Sequence, residues 1–217
     1  MGLYQEKESD YFAKARTGIL PLLPAQADRV LEIGCAEGAT LVWAREQLKS
    51  SWVGGVELFE EAAENARTRI DWVAQGDIEK MELTFDEASM DLILCLDVLE
   101  HLWDPWSVVC RLSNLLKPGG ALVVSIPNVL HHSVMLPLIL HGRFDYRDEG
   151  VLDKTHIRFF TKSTAVELVE TGGLVVDKVT NSGNAKGSKS ALADMLTLGI
   201  FHVLFETQYI IRATRTR

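Results

Sequence analysis

Five short apolar runs recur between Arg29 and Asn128, and helical patterns fill the gaps between them. The runs are "RVLEIG" (Arg29–Gly34), "WVGGVE" (Trp52–Glu57), "DWVAQGD" (Asp71–Asp77), "MDLILCLD" (Met90–Asp97) and "ALVVSIPN" (Ala121–Asn128). Each reads as a strand, and "MDLILCLD", a continuous apolar run, as a strand from the middle of a parallel sheet. The gaps carry a different period. "ATLVWAREQLKS" (39–50) places Leu41, Val42, Ala44 and Leu48 near one helical stripe. "FEEAAENARTRI" (59–70) has alanines on one side and charge on the other, and "PWSVVCRLSNLL" (105–116) opens on proline and ends before "KPGG". Strand–helix alternation of this kind specifies a doubly wound α/β sheet rather than a bundle or a sandwich. A helix at 161–173, a strand at 174–180, a polar glycine-containing loop at 181–190, a helix at 191–205 and a last strand at 207–215 complete the pattern. No internal repeat and no second domain interrupts it, so residues 1–217 read as a single domain.

Composition narrows the function. A formal net charge of -8 argues against a general nucleic-acid or anionic-membrane binder, because phosphate attraction needs a basic surface. The 47% hydrophobic content is enough for a full core. Cys35, Cys95 and Cys110 form no CxxC or paired pattern, as expected of reduced thiols in a cytoplasmic protein. The first residues hold no apolar signal core, and "HHSVMLPLILHG" is too short to span a bilayer and contains Pro137.

The turn after the first run is "GCAEG", Gly34 to Gly38. Glycine is spent where a bare backbone is needed, and ligands of open α/β sheets bind beyond the carboxyl ends of the strands. A dinucleotide site wants G-x-G-x-x-G; here the matching positions are Gly34, Ala36 and Ala39, which leaves that reading weak. A P-loop is excluded, since no Gly-Lys-Ser/Thr follows. What remains is an acid at each of three neighbouring strand ends: Glu32, Glu57 and Asp77. Such a set repels a pyrophosphate. It suits a nucleoside with a cationic, amino-acid-bearing tail: Glu57 for the ribose hydroxyls, Asp77 for an adenine amino group, Glu32 for the positive charge.

These segments resemble a known family. "VLEIGCAEG", "GVELFEE", "QGDIEK", "DLILCLDVLEHLWDP" and "LLKPGGALVVSIPN" follow, in order, the motifs of class I S-adenosylmethionine-dependent methyltransferases, closely over residues 28–128 and more loosely through "HIRFFTKSTAVELVETGGLVV". The resemblance implies a Rossmann-like, mostly parallel seven-stranded sheet with an antiparallel last strand and helices on both faces. It implies S-adenosyl-L-methionine as cofactor, with S-adenosyl-L-homocysteine as product. The implied cofactor contacts are Glu32, Gly34, Cys35, Ala36, Gly38, Glu57, Leu58, Asp77, Ile78 and Leu96. An N-terminal helical cap (1–27) adds Tyr11 and Arg16 for the cofactor's carboxylate. Ala36 stands where the family usually has glycine.

Residues 129–160 exceed what a crossover needs, and relatives use this region as a substrate lid. It contains His131, His132, His141, Asp153, His156 and Arg158. "LDKTHIRFFT" resembles a signature of bacterial enzymes that modify sugars or polysaccharides. Methyl transfer is an in-line displacement, so the protein supplies alignment; a hydroxyl acceptor also has to lose a proton, a task for a near-neutral histidine. His156 oriented by Asp153, or His131, is the expected base; His101, His132 and Arg158 are expected to meet the acceptor. No HExxH or Cys/His cluster appears, so no metal site is expected. The expected activity is O-methylation of a small molecule, a sugar or polysaccharide precursor. N- or C-methylation of another metabolite, and a non-catalytic methyltransferase-like subunit, remain open at this level. Oligomeric state is not legible.

Overall fold

The structure is a computed structural model and describes residues 14–182 and 202–216. Tyr11, the 183–190 part of the polar loop and most of the helix expected at 191–205 lie outside those residues. Seven strands form one sheet: β1 (Arg29–Ile33), β2 (Trp52–Glu57), β3 (Trp72–Gln75), β4 (Met90–Leu96), β5 (Leu116–Pro127), β6 (Leu174–Ser182) and β7 (Gln208–Arg215). Their order is β3-β2-β1-β4-β5-β7-β6. β1 to β5 run parallel, and β7 pairs antiparallel with both β5 and β6. Among the described residues five α-helices accompany them: α1 (Ala39–Leu48), α2 (Glu60–Arg67), α3 (Pro105–Leu115), α4 (His132–His141) and α5 (Lys162–Glu170). Thr17–Leu22 is a 3-10 helix.

The two-residue period of the strands divides the core. Leu31, Ile33, Ile93, Cys95, Leu122 and Val124 face α3 and α5. Val30, Leu92, Leu94, Ala121 and Val123 face α1, joined there by Ile19 and Leu22 of the 3-10 helix. Both faces of each central strand are therefore buried, the reason these strands are so largely apolar.

Two elements differ from the expectation. β5 begins at Leu116 rather than Ala121: Met90 pairs with Leu116 and Leu92 with Ala121, so "KPGG" is a bulge inside the strand and not a turn before it. Gly119 has φ +82°, and a Cβ on Gly120 would lie 2.9 Å from Lys117 O, so the bulge needs both glycines. The apolar "HHSVMLPLILH" forms α4, with Pro137 inside it; Leu136, Ile139 and Leu140 are exposed on this helix. Among the described residues no helix is long and apolar enough to cross a membrane.

Candidate active site

β1 has β2 on one side and β4 on the other, so the winding reverses at its carboxyl end and opens a crevice there. The "GCAEG" turn borders it. Gly34 N and Cys35 N donate to Val56 O at 2.8 and 3.1 Å, which pins the turn onto β2. Its glycines are demanded first by the protein's own packing. Gly34 has φ +73°, and a Cβ there would come within 2.6 Å of Val98 Cγ2. Gly38 has φ +80° and sits against Ile70 of the α2–β3 connection, 3.3 Å from a notional Cβ. Gly34 lines the crevice and Gly38 does not. Gly38→Ala is accordingly expected to cost about 1–2 kcal/mol of left-handed strain and lower Tm by roughly 2–8 °C, with cofactor affinity nearly unchanged; thermal melts and calorimetry on the same samples check both halves.

The crevice holds a cavity of about 330 Å³. Glu32, Cys35 and Ala36 line it with Gly34. Glu57 and Leu58 come from the second strand end, Asp77 and Ile78 from the third, Leu96 from the fourth, and Arg16 closes one side. The expected cofactor contacts within the described residues thus share one cavity, Gly38 excepted.

The acids differ in state. Glu57 is buried; its Oε1 accepts from Phe59 N at 3.0 Å and its Oε2 from Ala36 N at 2.8 Å. Burial raises its pKa, and those backbone donors pull it back in part. Each carboxylate oxygen keeps a second lone pair for a ligand hydroxyl. Glu32 is 2% exposed, and its Oε2 has no hydrogen-bond partner among the described residues. Burial pushes its pKa up to about 8; Arg16 opposes the rise and Glu57 adds to it. Asp77 is held below the ordinary carboxylate range, first by Lys80 Nζ at 2.7 Å, with Glu79 N also donating and burial opposing. Burial also drives the Cys35 and Cys95 thiols upward, so neither is a nucleophile; all three cysteines are free.

Asp97 was not among the expected contacts, yet it lines the cavity. It has φ +56°; its Oδ2 meets Arg16 Nη1 at 2.5 Å, and its Oδ1 accepts from Ser125 Oγ at 2.7 Å and from Gln208 Nε2. The available signal was its place at the end of "MDLILCLD", like Glu57 at the end of "WVGGVE".

The histidines separate into two groups. His101, in the 3-10 turn Leu99–His101, lines the cavity beside Trp103. His156 packs behind it, with ring centroids 4.7 Å apart. Asp153 Oδ1 accepts from Thr155 N and Thr155 Oγ1 at 2.8 and 2.6 Å, while His156 Nδ1 meets Val151 O at 2.9 Å. His156 N donates to Asp153 O, so Asp153 shapes the loop that carries His156. His131 and His132 stack on each other at the start of α4, apart from the cavity lining. Burial, helped by His132, lowers the His131 pKa to about 4. Arg158 Nη2 donates to Trp103 O, and its guanidinium lies 5.5 Å over the Trp106 ring, so it braces the cavity's rim from outside.

The methyltransferase-domain family matches residues 4–179. The chain belongs to the class I S-adenosylmethionine-dependent methyltransferases. A Mycolicibacterium smegmatis protein named "probable S-adenosylmethionine-dependent methyltransferase" is 29% identical over 173 residues, which cover 80% of this chain and 55% of that one. The ubiquinone biosynthesis O-methyltransferase of Paracidovorax citrulli is 26% identical over 184 residues, 78% of this chain and 76% of its own. This methyltransferase therefore spans about half the length of the first relative and three quarters of the second. In fold it is similar to a Thermotoga maritima structure described as a SAM-dependent methyltransferase, possible histamine N-methyltransferase, with TM-score 0.62, 22% identity, and coverage of 91% of this chain and 85% of that one. S-adenosylmethionine is the methyltransferase's cofactor, and the cavity's chemistry fits it. The unsatisfied Glu32 Oε2 wants a cation or donor, and Glu57 has acceptor capacity left.

Proposed function

We propose that this methyltransferase transfers the methyl group of S-adenosylmethionine to a hydroxyl oxygen of a small molecule whose ring face can stack on an indole, a sugar or polysaccharide precursor being the class expected. The observation that carries the reading is the rim of the cavity. Trp103 is 73% exposed there, next to His101. An indole face left open to water beside polar groups suits stacking on a ring with hydroxyls at its edge. The name of the Paracidovorax relative, an O-methyltransferase, supports an oxygen acceptor. The free cysteines are in keeping with a cytoplasmic setting.

The cofactor brings the electrophilic methyl; this chain's residues bind, orient and handle the acceptor's proton. Glu32 receives the ammonium, Glu57 the two ribose hydroxyls and Asp77 the adenine amino group. Leu58, Ile78 and Leu96 enclose the apolar surfaces of the nucleoside, and Arg16, with Tyr11, meets the carboxylate. The His101–His156 pair is the imidazole group placed to take up the acceptor's proton, with Asp153 acting through the loop fold. The 129–160 segment forms the acceptor side: α4 packs Val134 on Val151 and Leu152, and Phe144, Tyr146 and Phe159 cluster beyond it. Its amide exchange is expected to slow when cofactor and acceptor are both present; protection equal to the central strands from the start would contradict a lid.

The test is a methyl-transfer assay over sugars, phenols and amines. Hydroxyl acceptors are expected to turn over, and Trp103→Ala should raise their KM by about tenfold or more while cofactor Kd stays unchanged. Turnover of amines alone would overturn the oxygen assignment.

A further inference from the structure

Behind the rim, Glu100, His101 and His156 place one ligand atom each within 4.8 Å of one another. Glu100 and His101 end the short turn after β4, and His156 arrives from the loop before α5. Two backbone hydrogen bonds tie these segments: Ile157 N and Arg158 N both donate to Glu100 O, at 2.9 and 3.0 Å.

The ring orientations matter most. His101 Nδ1 lies 3.0 Å from Thr155 O, and His156 Nδ1 lies 2.9 Å from Val151 O. A carbonyl oxygen only accepts, so each Nδ1 must carry the hydrogen. In the neutral ring this leaves the lone pair on Nε2. His156 Nε2 faces Glu100 Oε1 at 3.9 Å. Two imidazoles fixed in the Nδ1–H tautomer by backbone carbonyls, beside a carboxylate, is the arrangement in which histidines ligate a metal through Nε2. The loop built around Asp153 supplies both carbonyls, which gives the sequence "VLDKTH" a structural purpose.

We propose that Glu100, His101 and His156 form a binding site for a divalent transition-metal ion, Zn²⁺ by preference. Two histidines and one carboxylate are a known catalytic zinc set, and they leave a coordination position open. Ligand bonds of about 2.0–2.2 Å at tetrahedral angles place ligand atoms about 3.3–3.6 Å apart, so the widest separation in the cluster has to shrink by up to about 1.2–1.5 Å when the ion binds, through side-chain rotation. Glu100 and His156 are nearly fully buried, whereas His101 borders the cavity, so the open position is on the acceptor side. With the ion bound, both Nε2 lone pairs are committed to it and the imidazoles give up the role of base. The ion instead acidifies an acceptor hydroxyl: its proton leaves to water, the oxygen–methyl bond forms, and the sulfur–methyl bond breaks with its electron pair staying on sulfur. That role rests on the hydroxyl-acceptor reading above; the site itself does not.

The experiment uses the full chain stripped with EDTA and titrated with Zn²⁺, and separately with Co²⁺, without cofactor or acceptor. One ion per chain should bind with roughly micromolar or tighter Kd, and Co²⁺ should acquire the visible absorption of an imidazole–carboxylate site. His101→Asn and His156→Asn should each weaken binding about a hundredfold, and Glu100→Gln about tenfold or more. His101 is half-buried, so its variant is expected to keep the far-UV circular dichroism of the parent even if the Glu100 variant does not. Absence of a stoichiometric ion, or binding unchanged in folded His101→Asn, would overturn the site. Stoichiometric binding lost in His101→Asn establishes it even where the transfer assay shows amines alone to be methylated; that second result would overturn only the hydroxyl reading.

Discussion

Glu57→Ala is expected to weaken S-adenosylmethionine binding about ten- to hundredfold, the loss of charge-assisted hydrogen bonds worth roughly 1.5–3 kcal/mol. The effect has two sources. The substitution removes the acceptor for the ribose hydroxyls, and it releases Ala36 N and Phe59 N, which the carboxylate now holds in place. The first turn and the second strand end therefore loosen together. Removal of a buried carboxylate returns some stability, because burial penalises the charge, so the fold should persist. Glutamine is the harsher replacement for geometry: one of its two terminal atoms is an amide nitrogen, which would face a backbone N–H that now meets oxygen. Calorimetry on folded variants checks this; an unchanged Kd for Glu57→Ala would remove Glu57 from the site.

Cofactor binding at pH 7 should release close to one proton, and the source is Glu32. Burial holds its pKa near 8, so about nine tenths of the free protein carries a proton there at pH 7. An ammonium beside Glu32 favours the carboxylate and drives that proton off. Affinity should then rise with pH, approaching tenfold per unit well below pH 8, and fall again above it as the ligand's own α-ammonium, with an ordinary pKa of about 8, loses its proton. Stability of the free protein follows the opposite sign. The folded pKa lies above the ordinary value of 4.5, so the folded state binds more protons than the unfolded state between about 4.5 and 8. Stability in that window falls as pH rises. Glu32→Gln should abolish the proton release, flatten the stability profile and weaken binding. Calorimetry in two buffers of different ionisation enthalpy measures the proton count directly, and zero release from the parent protein would contradict this assignment.

Much of the fold was legible because parallel strands buried on both faces leave apolar runs, as at Leu92–Leu96 and Ala121–Val124. The seven-stranded sheet with its antiparallel last strand came from the family resemblance, whereas the strand order was not legible, since periodicity does not say which strands are neighbours. A strand-end acid alone is most often a helix cap or turn residue; these acids were legible because they stand at neighbouring strand ends within the family's ordered motifs. Asp97 obeys the same rule and was missed; its left-handed backbone and its contacts to Ser125 and Gln208 depend on β5 and β7, distant in sequence. Gly38 was read as a ligand contact, but its neighbour is Ile70, and spacing cannot distinguish packing against a side chain from packing against a ligand. The histidine–glutamate cluster was hidden for a related reason. His156 meets His101 because the Val151–His156 loop folds back onto the turn after β4, and no local spacing encodes that.

The central claim is that the cavity beside β1 holds S-adenosylmethionine. Its most direct test is calorimetric titration of the purified chain with S-adenosylmethionine, S-adenosylhomocysteine and NAD. The account predicts one site per chain for each sulfur nucleoside, strongly weakened by Glu57→Ala, and no heat of binding from NAD. Binding of NAD with neither sulfur nucleoside bound would contradict it.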